Sequence, residues 1–169
     1  MNIKLLIPIF IILFLFSCSS DSKVIKEPEK NNNEIEEIQE TKEIQETKEI
    51  GKNDFTKALN KIRMDGGEKP VKWDEELARA SKIHSNDMNE NDFFSHEGSD
   101  GSSFVVRVRR TNFDGNPLGE NIAKCGSYEI AINLWKNSSG HYKNMMKSSA
   151  THVGYFQVGS YHTMITGRK

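Results

Sequence analysis

The chain is poor in cysteine, with only Cys18 and Cys125 in 169 residues. Two cysteines exclude the disulfide framework that staples many small secreted domains. Net charge is also small, with 23 basic residues against 24 acidic ones. There is no broad basic field for nucleic acid. Arg107, Arg109 and Arg110 form a local cluster without interleaved aromatics, and read as a solvated face. The apolar run Leu5 to Phe16 is shorter than the about 20 residues that a transmembrane helix needs. No HExxH helix marks a local metal site, and no GxSxG turn marks a covalent nucleophile. Any such site must be assembled from separate segments.

The first segment reads as a targeting signal. Lys4 precedes the apolar run, and Ser17 and Cys18 precede polar Ser19, Ser20 and Asp21. A basic start, a short apolar stretch and a small residue before the cut define a secretory signal over residues 1–17. Leu15-Phe16-Ser17-Cys18 resembles a bacterial lipobox, with Phe16 a loose fit. That resemblance implies that Cys18 becomes the lipidated first residue, palmitate among its chains, and anchors the protein to the membrane. Several acyl chains hold stably where one holds marginally. The alternative is an ordinary secreted protein with an incidental cysteine. With Cys18 lipidated, Cys125 is left without a disulfide partner. It reads as a buried structural thiol, with a reactive one as the alternative.

Residues 18–50 read as a disordered acidic tether. Ser19 to Ile50 holds ten acidic and five basic residues and no aromatics. The hexapeptide EIQETK occurs at Glu37 to Lys42 and again at Glu43 to Lys48. Such a composition buries too little apolar surface to offset chain entropy. Isoleucine every six residues matches a helical face poorly, so no coiled coil is expected. The alternative function for this stretch is an interaction tail.

Residues 51–169 have the size of one domain. Phe55, Leu59 and Ile62 predict an amphipathic helix that ends near Asp65-Gly66-Gly67, and Pro70 to Trp73 is extended. Asp74 is a good N-cap for a second helix, with Leu77, Ala80, His84 and Met88 on one face. His84, at the edge of that stripe, reads as a hydrogen-bonded core histidine, with a ligand role as the alternative. Phe93 and Phe94 are expected to anchor the loop that carries His96. Phe104 to Arg110 is compatible with a strand or a helix. Asp114 to Pro117 is a turn. Ser127 caps a helix over Tyr128 to Lys136, with Ile130, Ala131, Leu134 and Trp135 inward. Met145 and Met146 are expected to pack. His152 to Val158 and Tyr161 to Thr166 read as strands joined by a Gly159-Ser160 hairpin turn of type II′. His152 and His162 read as cross-strand or surface residues. Helices first and strands last give an α+β domain.

Chemistry concentrates between Phe93 and Met146. FFSHEG (Phe93 to Gly98), GENIA (Gly119 to Ala123) and LWKNSSGHYKNMM (Leu134 to Met146) each place a polar group beside apolar residues. His96, Glu120 and His141 together suggest one cleft. Two imidazoles and a carboxylate can also hold zinc with an open position. His141, at a helix start, serves such a site or donates to a loop carbonyl.

The order of these motifs, followed by VGYFQV, resembles the CAP superfamily, or SCP domain, in its compact bacterial branch. The likeness covers nearly all of Gly51 to Thr166. It implies an α-β-α sandwich with a small antiparallel sheet flanked by helices, and a helical Phe104 to Arg110. It also implies a cleft with two histidines and two acids: His96, Glu120 and His141 match three, and Ser138 occupies the place of the second acid. That departure leaves zinc, on His96 and His141, as the better metal, and weakens any carboxylate pair. The expected function is a non-enzymatic binding module anchored at the bacterial envelope, at the outer membrane or cell surface. Its partner is a lipid or sterol, or a host protein; Phe93, Phe94, Phe113 and Met145 could line a groove or simply pack. The alternative is a zinc-dependent, protease-like hydrolase, with Glu120 as the candidate catalytic group. Glu120→Ala is expected to alter the cleft without unfolding the domain.

Overall fold

The computed structural model describes residues 52–169. The expected signal segment, Cys18 and the tether lie outside these residues. Helix α1 covers residues 52–65 and stops at Gly66 and Gly67. Gly67 has φ +82, a conformation that a β-carbon disfavours. The order is then β1 (Lys72–Trp73), α2 (Glu75–Glu90), α3 (Phe104–Arg109), β2 (Asn116–Lys124), α4 (Tyr128–Lys136), α5 (Ser139–Met145), β3 (His152–Val158) and β4 (Tyr161–Arg168).

The four strands form one sheet in the order β1-β3-β4-β2. The β2–β4 and β3–β4 pairs are antiparallel, and the short β1 runs parallel to β3. GENIA lies on β2, an edge strand. Pro117 sits in that strand too, where the missing N–H does no harm. The expected turn therefore ends earlier, at Gly115. Val158 pairs with Tyr161 across Gly159 and Ser160. Gly159 has φ +56 and Ser160 has no positive φ, which fits type II′.

Strand alternation splits the core between two helical layers. Val153 and Tyr155 of β3 and Met164 of β4 join Phe55, Leu59, Trp135 and Met145. Phe55 stacks on Tyr155 with centroids 3.9 Å apart and meets Trp135 edge-on. On the other face, Ile165 packs with Leu77, Ala80 and Val108. Met88 packs there with Ile122 and Tyr161. Each such side chain contributes about 1.5–3 kcal/mol on burial. Helix α2 lies directly on β3: a β-carbon on Gly154 would fall 2.0 Å from the Ala78 nitrogen. This is the α-β-α sandwich, with a mixed sheet between its layers.

Caps set the helix starts. Asp74 Oδ1 accepts from the nitrogens of Glu76 and Leu77, and Ser127 Oγ accepts from Ile130. Helix α2 ends at Asn91 with Asp92 at φ +46 and a bond from the Phe93 nitrogen to the Met88 carbonyl. That is a Schellman closure with aspartate in place of glycine.

Three expectations on packing need correction. Ile130 and Leu134 are about half exposed, and α4 turns Ala131, Ile132 and Trp135 inward instead. Phe94 is exposed, and only Phe93 packs against the core. Arg107 does not belong to a solvated face: it is 1 % exposed. Of the two readings of His162, the cross-strand one holds: it is fully buried, with its Nδ1 2.7 Å from the Tyr155 hydroxyl on the neighbouring strand.

Candidate functional site

Glu120 is the centre of the site. On β2 it points to the α2/α3 layer and is 5 % exposed. One oxygen lies 2.7 Å from Arg107 Nη2 and the other 2.8 Å from His96 Nδ1. Paired with the Arg107 guanidinium, the carboxylate is the acceptor of both bonds. His96 must then carry a proton on Nδ1, and in the neutral ring the Nε2 lone pair is free. Its side chain is 57 % exposed, so Nε2 is open to solvent or a ligand. A carboxylate behind an imidazole fixes the orientation of the ring.

His141 comes from the opposite layer, in the first turn of α5. Burial lowers its pKa, which favours the neutral ring, and any positive charge on nearby His96 acts in the same direction. Its position is set by two amides. Asn121 Nδ2 donates to the His141 carbonyl at 3.0 Å. Asn144 Nδ2 donates to the Glu120 carbonyl and to Asn121 Oδ1. Gly119 leaves room for this: a β-carbon there would sit 2.7 Å from Asn144 Oδ1.

The edge of β2 is thereby covered. The carbonyls of Leu118, Glu120 and Ile122, three alternate residues, accept from Lys147 Nζ, Asn144 Nδ2 and Trp135 Nε1. These side chains bind α4, α5 and the following loop to the strand and block a further strand from pairing there. Arg63 extends the frame from α1. It is fully buried and donates to the carbonyls of Lys69, Met145 and Lys147. The end of α5 is held by that cation.

Of the residues singled out from sequence, His96 and Glu120 touch, and His141 lies close enough to sense His96. Ser138 stands at the N-cap position of α5, but its side chain makes no cap bond and joins none of the other three. The sequence reading missed Arg107, Asn121 and Asn144. Asn121 and Asn144 lie within GENIA and GHYKNMM, so their motifs were visible while their roles were not. Cys125 is half-buried, with burial raising its pKa, which argues against a reactive thiolate.

The three candidate groups do not fit a zinc site with Glu120 as a ligand. Both Glu120 oxygens are engaged, and a guanidinium lies against one of them. Among the described residues, no group of three or more His, Cys, Asp or Glu is arranged to hold a metal ion. Two imidazoles remain, fewer than the three protein ligands typical of catalytic zinc.

The fold and the site together define an α-β-α sandwich with a buried glutamate and two histidines gathered at the edge strand of its sheet. The chain belongs to the cysteine-rich secretory protein family, CAP, whose family model matches residues 56–164. It is 35% identical over 105 residues to the uncharacterized membrane protein YlbC of Bacillus subtilis, covering 62% of this chain and 30% of that protein. It is 32% identical over 92 residues to pathogenesis-related protein 1 of Arabidopsis thaliana, covering 53% of this chain and 47% of that one. The chain thus spans less than half the length of these curated relatives. Among solved structures, an extracellular SCP-domain protein from Bacillus anthracis superposes with a TM-score of 0.67 at 28% identity, covering 70% of this chain and 40% of that one. An outer surface protein of Borrelia burgdorferi shares the fold, with a TM-score of 0.63 at 15% identity over 69% of this chain and 91% of that one.

Proposed function

We propose that this protein is an envelope-anchored, non-enzymatic binding module. His96 and His141 meet its ligand, and the membrane holds it through lipidated Cys18. The observation that carries this reading is the state of Glu120. A catalytic carboxylate needs a free oxygen to accept or deliver a proton in reach of substrate. Both oxygens of Glu120 already accept, from Arg107 and His96, so Glu120 backs the His96 ring and does not itself face a ligand, and Ser138 stands where a second acid would be. What remains is recognition: a free imidazole nitrogen on His96, a neutral His141, and exposed Phe94 two residues from His96. A polar pair beside an apolar side chain suits an amphipathic small molecule, such as a fatty acid or a sterol, better than a fully charged one. The names of two similar structures, an extracellular protein and an outer surface protein, support a surface location.

The test is calorimetric titration of the full chain with a fatty acid and with a sterol, in chelator and in zinc. Saturable binding that is indifferent to chelator, and weakened about tenfold by His96→Ala or His141→Ala, is the expected result; tenfold corresponds to about 1.4 kcal/mol, one good hydrogen bond. Zinc-dependent hydrolysis of a peptide or ester, lost in the same variants, would sink the reading and restore the hydrolase.

A further inference from the structure

His84 and Arg107 are both buried, at 0% and 1% exposure, and come from different helices, α2 and α3. They converge on one short piece of backbone. His84 Nε2 lies 2.8 Å from the Ser95 carbonyl. Arg107 Nη2 lies 3.0 Å from the His96 carbonyl, the next one along. A carbonyl only accepts, so His84 carries its proton on Nε2. Arg107 also donates from Nη1 to the Ser102 carbonyl at 2.6 Å. Thus the two peptide groups flanking the His96 α-carbon are held from beneath, while Glu120 holds its ring.

Fold stability does not account for the pair. His84 Nδ1 and Arg107 Nε are buried and have no hydrogen-bond partner among the described residues. An unmet buried polar atom costs about 1–3 kcal/mol. Apolar residues of similar volume often replace buried polar groups with no loss of stability. What His84 and Arg107 supply, and an apolar pair cannot, is a fixed path for the loop that carries His96.

We propose that His84 and Arg107 are positioning residues that hold His96 in a single orientation and tautomer for ligand recognition. The proposal rests on the cleft reading above, in which His96 meets the ligand. Its test needs no ligand, so a failed lipid titration leaves it standing or falling on its own readout.

The experiment is nitrogen-15 NMR of histidine-labelled full-length chain at pH 8, with thermal melts of the same samples. In the parent, His96 is expected to show one protonated Nδ1 signal and one well-separated unprotonated Nε2 signal. In His84→Leu the fold is expected to survive with an unchanged or higher Tm, while the two His96 signals move toward each other as tautomers mix. His84→Gln places an amide N–H near the old Nε2 position and is expected to restore the separation. Arg107→Lys keeps the charge beside Glu120 but cannot span all three acceptors; it is expected to blur the His96 signals as His84→Leu does. The proposal is overturned if both variants fold with parent-like His96 signals. Loss of folding in His84→Leu overturns it as well, because His84 is then a structural requirement. So does an altered His96 signature that His84→Gln fails to rescue.

Discussion

Glu120 shows how much a single residue can carry. It is buried, ion-paired to a buried arginine and bonded to His96. The expectation that Glu120→Ala would leave the fold intact does not agree with this geometry. Truncation strands the Arg107 guanidinium without a counter-charge. Breaking such a buried pair costs about 3–5 kcal/mol. Glu120→Ala is therefore expected to lower the denaturant midpoint steeply. The Glu120→Ala/Arg107→Met double variant is expected to recover much of that loss, because no buried charge is then left unpaired. Equal losses in the single and the double variant would mean that Arg107 is hydrated in place. At this scale the sequence was partly legible. His96, Glu120 and His141 stood out because each sits in a motif beside apolar residues. Arg107 did not, because it lies between Arg109, Arg110 and valines that favour two secondary structures equally, and nothing local separates a buried arginine from an exposed one.

At the scale of elements, contacts between helix and sheet decide what the site can reach. Helix α2 carries His84 and lies on β3 at Gly154, where the approach leaves no space for a β-carbon. Gly154→Ala must push α2 off the sheet. The cost expected from overpacking is about 1–3 kcal/mol. Since α2 carries His84, the same change is expected to disturb the His96 resonances. A melt of Gly154→Ala that matches the parent would show that α2 can shift without loss. The helix starts were readable, because Asp74 and Ser127 announce themselves as caps and the apolar spacing follows. The inward face of α4 was not. Ile130, Ala131, Ile132, Leu134 and Trp135 place apolar residues around much of the helix, so periodicity alone selects no face. Close packing chose the small Ala131 with Trp135, which bonds the Ile122 carbonyl, and left Ile130 and Leu134 about half exposed.

For the whole molecule, acidity is the natural lever. His84 and His162 are buried neutral, and burial also lowers the pKa of His141 and His152 from 6.5. Below that value the unfolded chain binds protons that the folded chain resists. Stability is therefore full above about pH 6.5 and is lost as pH falls through the range just below it. A fall of Tm by about 5 °C between pH 7 and pH 5, the change that 1 kcal/mol makes in a domain of this size, is the expected scale. A flat profile there would mean that the buried imidazoles find proton acceptors in the folded state. The lowered carboxyls of Asp74 and Asp87 add a second loss at more acid pH, as each is protonated and releases its donors.

The sequence by itself determined the α+β class, the hairpin and most helix boundaries. These depend on spacing, caps and turn residues a few positions apart, where local sterics and hydrogen bonds act. The order of its motifs was specific enough to point to the CAP family. Tertiary structure alone decided what the motifs do. It placed the Arg107 guanidinium on Glu120, turned that acid into a support for His96, and joined Asn121 to His141 across the edge of the sheet. Those pairings link residues 13 to 24 positions apart. Their worth comes from burial in a low-dielectric core, and burial is a property of the packed layers that no single motif contains.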